Sequence, residues 1–116
     1  MDLIRQLLFI AEKDATQKGF FVPEVEDYTP EEINYHIELL EQAGLAKTSR
    51  IPTGRSDIWK LGALMWEGQD FLDNARNQTT WNQAKELVKS KGGGASFEIF
   101  KAILISLVKS QFSDNG

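Results

Sequence analysis

Cysteine is absent from this 116-residue sequence, histidine occurs once, and proline only three times. The missing cysteines rule out disulfides and thiolate metal sites. Small exported domains usually depend on disulfides, so their absence points to a reducing, cytoplasmic setting. Long apolar runs are missing as well. None approaches the ~20 residues needed to cross a bilayer, and the opening stretch lacks the basic leader and small-residue cleavage site of an export signal. No membrane association is expected. A surplus of positive charge is the last absence: 13 Lys and Arg face 17 Asp and Glu, for a net charge of −4. Proteins that bind nucleic acid by neutralising phosphate usually gather a basic excess. Any such footprint here has to be local.

What is present reads as one domain with one core. Asp2 is placed as an N-cap, and Leu3, Ile4, Leu7, Leu8 and Ala11 repeat at helical spacing up to a stop at Gly19. Phe20 to Val25 reads as a short extended segment, demoted by Pro23 to an edge strand or covering loop. Thr29-Pro30-Glu31-Glu32 carries a helix start with capping-box spacing. Ile33, Ile37 and Leu40 line one face of that second helix, which Gly44 ends. Ala46 to Ile51 and Asp57 to Leu64 form two strands about a Pro52 to Ser56 turn. Helical spacing returns over Trp66 to Asn77 and over Thr79 to Lys91. Gly92-Gly93-Gly94 then acts as a hinge, and a last helix runs from about Ser96 to Phe112. The residues beyond Phe112 are expected to fray.

The order helix, short strand, helix ending in Ala-Gly-Leu, hairpin, helix resembles a winged-helix domain. Ile33 to Leu45 resembles the recognition helix of bacterial winged-helix regulators and its exit into the wing. The whole chain resembles a family of small bacterial and prophage winged-helix proteins known as a domain of unknown function. The residues that carry the resemblance are Met1 to Arg5, Tyr35-His36, Leu64, Gly68, Phe71-Leu72-Asp73, Arg76 and Trp81. It departs at Met65 and Gln69, where the family tends to have Thr and His. The resemblance implies a mainly α fold with a small β-ribbon (α+β): a winged-helix-like core over 1–78 and a C-terminal helical extension over 79–116, packed as a single domain. It implies no activity. The ten residues from Gly19 to Tyr28 leave no room for the extra helix that braces an ordinary recognition helix across DNA.

The basic residues of the hairpin, Lys47, Arg50, Arg55 and Lys60 against the single acid Asp57, are the candidate phosphate contacts, with Asn34 and Tyr35 nearest the bases. Against this, the second helix presents Glu31, Glu32, Glu38 and Glu41, which suit a protein partner better than a phosphate-lined groove. His36 and Glu32 could share a metal, but two ligands make a poor site, and no nucleophile or orienting partner supports catalysis. No cofactor is expected. The triple glycine lacks the Gly-Lys-Ser/Thr of a phosphate loop. Trp66 and Trp81 are expected in the core. The last helix is apolar over more than one stripe, so Phe97, Phe100, Ile103, Leu104, Leu107 and Val108 are expected to bury against a second copy in a homodimer. Two functions stay open: a regulatory winged-helix protein holding DNA through a basic wing, or a protein-interaction module without nucleic-acid affinity.

Overall fold

The computed structural model describes residues 1–91 and 96–113. In chain order the elements are α1 (Asp2–Lys18), α2 (Pro30–Gln42), β1 (Ala46–Ile51), β2 (Ile58–Leu64), α3 (Trp66–Ala75), α4 (Gln78–Ser90) and α5 (Phe97–Ser113). The fold is mainly α with one two-stranded antiparallel sheet. The chain divides into two compact units, Met1–Leu72 and Asp73–Gly116, and the division falls within α3. The triple glycine and the residues after Ser113 lie outside the described residues.

Local chemistry accounts for the boundaries in the first unit. Asp2 is the first helical residue of α1 and Met1 stands at the cap, so Asp2 faces the positive end of the dipole instead of capping it. Leu3 and Ile4 are buried beside it. Burial lowers the pKa of the Arg5 guanidinium, partly offset by the Asp2 carboxylate. Gly19 ends α1 at φ 64°, a conformation open to glycine. The segment that follows forms no helix; it makes one bridge, Phe21 to Leu61. The capping box of α2 is complete: Glu32 N–H donates to Thr29 Oγ1 at 3.1 Å and Thr29 N–H to Glu32 Oε1 at 3.2 Å. At the other end, Leu45 N–H donates to the Leu40 carbonyl and Gly44 N–H to that of Glu41, closing a Schellman stop with Gly44 at φ 70°.

That stop delivers Leu45 into the core and starts β1 in a fixed direction. α1 and α2 both pack against β2, burying Leu7, Leu8, Ile37, Leu40 and Leu61. The two ends of the hairpin are tied where Met65 N–H donates to the Leu45 carbonyl at 2.9 Å. α3 then begins directly against this carbonyl: a Cβ built on Gly68 falls 1.9 Å from Leu45 O. The buried stripe of α3 is Gly68, Phe71, Leu72 and Ala75. Trp66 lies on the opposite stripe with Asp70 and Asp73. It is therefore not a core residue but is 87% exposed.

In the second unit α4 packs against α5. Asn77, just before α4, caps it by accepting from Thr80 N–H at 2.9 Å. Trp81, fully buried as expected, meets Phe100 edge-on with ring centres 4.9 Å apart. Ala84 and Leu104 complete this small core.

The Gly68 contact gives a direct test. Because the obstructing atom is backbone, Gly68→Ala should lower stability by about 2–3 kcal/mol. Gly54→Ala, with nothing within 4 Å of the added methyl, should leave it unchanged. Urea unfolding followed by circular dichroism compares them, and equal midpoints for the two variants contradict the contact.

Candidate interaction surface

The hairpin and the elements bonded to it form the candidate site. Its register pairs Ser49 with Lys60, Arg50 with Trp59 and Ile51 with Ile58, with a bulge between Ala46 and Thr48. Successive side chains alternate between faces and directly paired residues share one. Leu61 is fully buried, so Thr48, Arg50, Asp57, Trp59 and Leu61 lie on the helix-facing side. Lys47, Ser49, Ile51, Ile58 and Lys60 lie on the outer side.

The outer edge of β2 is bonded at Leu61, at Trp59 N–H and, just before the strand, at the Asp57 carbonyl. Leu61 and Phe21 exchange both backbone bonds, at 2.7 and 3.0 Å. Next along the edge, the Asn34 carboxamide accepts from Trp59 N–H at 2.7 Å and donates to the Asp57 carbonyl at 3.0 Å. One side-chain amide thus stands in for the peptide group of a neighbouring strand. Asn34 is half-buried, so the reading that turned it outward toward bases is corrected: its carboxamide ties α2 to the hairpin.

The basic residues do not form one row. Arg50 points to the helix side, with its Nε 3.3 Å from the Asp57 carboxylate. Lys47 and Lys60 point to the outer side. Arg55 sits in the turn, which Thr53 organises: its hydroxyl donates to the Ser56 carbonyl and accepts from the N–H of Ser56 and Arg55. Among the described residues Lys47, Arg55 and Lys60 have no acidic partner within ion-pair distance. On α2, Tyr35 is exposed with its ring edge-on to His36, and Glu31, Glu32 and Glu41 are exposed on the same helix. The His36 Nδ1–H donates to the Glu32 carbonyl at 2.7 Å. No group of three or more His, Asp or Glu that could hold a metal occurs among the described residues.

The outer face carries apolar side chains that reading the sequence passed over. Phe20, Val22, Ile51 and Ile58 are exposed by 49%, 54%, 39% and 42%. Phe20 lies against Gly62, where a Cβ would fall 2.6 Å from its ring. At the base of the ribbon Trp66, Met65, Leu64, Gln69 and Lys47 line a shallow depression of about 340 Å³. The signal for Trp66 was available in its helical stripe, shared with Asp70 and Asp73. The residues assigned to a dimer are divided: Phe100 and Leu104 are buried, while Phe97, Ile103, Leu107 and Val108 keep part of their surface. No helix of the described residues is long and apolar enough to cross a membrane.

A family model described as hypothetical protein, DUF2513, matches residues 1–94. The chain belongs to the DUF2513 family. A relative in Haemophilus influenzae, described as an uncharacterized protein, is 28% identical over 113 residues, covering 97% of this chain and 96% of its own. No solved structure matches. The DUF2513 match spans the hairpin, the Asn34 bonds and Trp66, and ends before α5.

The Asn34 bonds separate two interactions by size. Asn34→Ala leaves Trp59 N–H and the Asp57 carbonyl without their partner, and should cost about 1–3 kcal/mol. Arg50→Ala breaks only an exposed ion pair and should cost under about 1 kcal/mol. Denaturant midpoints measured side by side decide, and the reverse order contradicts the assignment.

Proposed function

We propose that this chain is a protein-binding module whose partner docks on the outer face of the hairpin. The observation that carries the reading is the composition of that face. Four exposed apolar side chains and two lysines lie on it, and none of its strand positions carries a carboxylate. Scattered exposed apolar residues need no explanation, but several on one face of a short ribbon, with an exposed tryptophan near its base, suit an interface. The order helix, bridge, helix, hairpin, helix supports placing the first unit with winged helices, used here as an adaptor or regulatory scaffold.

DNA binding through the wing draws less support. Its basic residues are split between two faces and the turn, Arg50 is paired with Asp57, and Asn34 is occupied within the fold. The carboxylates of α2 would meet phosphate with repulsion.

Because Trp66 is almost fully exposed, replacing it should leave the fold intact. Trp66→Ala and Ile58→Glu should each weaken capture of the partner from an extract of the source cell by about thirtyfold or more, as expected for interface anchors. Capture that is unaffected by both variants contradicts the assignment. So does tight, steeply salt-dependent binding of duplex DNA that Arg50→Ala with Arg55→Ala flattens.

A further inference from the structure

The hydrogen-bond pattern of the sheet leaves one edge open. Leu61 directs its N–H and carbonyl at Phe21, so these groups point away from β1. Trp59 N–H, directed at Asn34, points the same way. In an antiparallel ladder, bonded and non-bonded pairs alternate. Leu61–Thr48 and Trp59–Arg50 are therefore the non-bonded pairs, and Ser49–Lys60 and Ile51–Ile58 the bonded ones. It follows that the N–H and carbonyl groups of Thr48 and Arg50 point outward from β1. No hydrogen bond to any of these four groups occurs among the described residues. A side of the ribbon that Phe21 and Asn34 close on β2 is left unpaired on β1.

Resting on the protein-binding reading above, we infer that the partner is an extended acidic segment that adds to β1 as a further antiparallel strand. Main-chain pairing to an open edge supplies affinity, and alternate side chains supply choice. The side chains along this edge state what they would accept. On the outer face Lys47 has no acidic partner among the described residues and calls for a carboxylate, whereas exposed Ile51 calls for an apolar residue. On the helix side, Arg50 is exposed and already draws the Asp57 carboxylate, so a second acid suits the position opposite it. Trp66 and Met65, beside Lys47, extend the apolar contact at the end of the strand. A second copy of this chain meets these demands less well. Pairing β1 with another β1 would bring the lysines of both copies onto one sheet face, where like charges repel.

The probe is a synthetic peptide with the core Val-Glu-Thr-Val-Glu, whose residues fall opposite Ile51, Arg50, Ser49, Thr48 and Lys47 in that order. It is titrated into the full chain labelled with nitrogen-15. The amides of Thr48 and Arg50 should shift downfield and exchange about tenfold or more slowly when saturated. Replacing both Glu by Lys should weaken binding about tenfold or more. Methylating the peptide nitrogens that pair with Thr48 and Arg50 should weaken it by a similar factor. Shifts confined to Ile58, Phe20 and Trp66, with Thr48 and Arg50 unmoved, would overturn strand addition and leave the outer-face reading standing. Absence of shifts anywhere overturns the acidic-segment assignment. Concentration-dependent protection of Thr48 and Arg50 without peptide assigns the edge to a second copy, which also overturns it.

Discussion

The site depends on one amide doing the work of a backbone. Asn34 projects from α2 and gives the exposed edge of β2 both an acceptor and a donor, as a neighbouring strand would. Phe21 does the same two residues along, at Leu61, with its own N–H and carbonyl. Buried or half-buried backbone groups left without partners cost more than a single bond returns. A two-stranded ribbon is marginal alone, and here it is fixed from one side by a bridge and a carboxamide. The direction of those bonds also decides which edge stays open.

The electrostatics follow from the same register. A cluster of four basic residues in a short stretch looks like a phosphate-binding wing until the alternation of the strands is applied. Pairing Arg50 with Trp59 sends it to the helix side, where Asp57 lies, and Lys47 and Lys60 go to the other. What remains on the outer face is two separated positive charges among apolar side chains. With an acidic α2 and a net charge of −4, this distribution is what the proposed polypeptide partner of modest acidity rests on.

Much of the fold was legible because its signals are local. The Thr29–Glu32 capping box, the Gly44 stop and the turn between Ile51 and Ile58 are each set by a handful of adjacent residues, and each appears where the pattern places it. The close approach of Gly68 to the Leu45 carbonyl was not legible, because the two meet only across the hairpin. The site was less legible because it is made by long-range pairs. Asn34 meets residues 23 and 25 positions away, and nothing in its own helix separates it from an outward-facing polar residue. Trp66 was misplaced for a different reason: tryptophan is usually buried on average, and that tendency outweighed the helical phase that puts it beside Asp70 and Asp73.

Which edge of the ribbon is closed decides where a further strand can add. Amide hydrogen exchange of the unmodified chain, read residue by residue under native conditions, measures it without any partner or substitution. Trp59 and Leu61 should be strongly protected, and Thr48 and Arg50 should exchange at rates close to those of an unstructured chain. Protected Thr48 and Arg50 amides, or a rapidly exchanging Trp59, would contradict it.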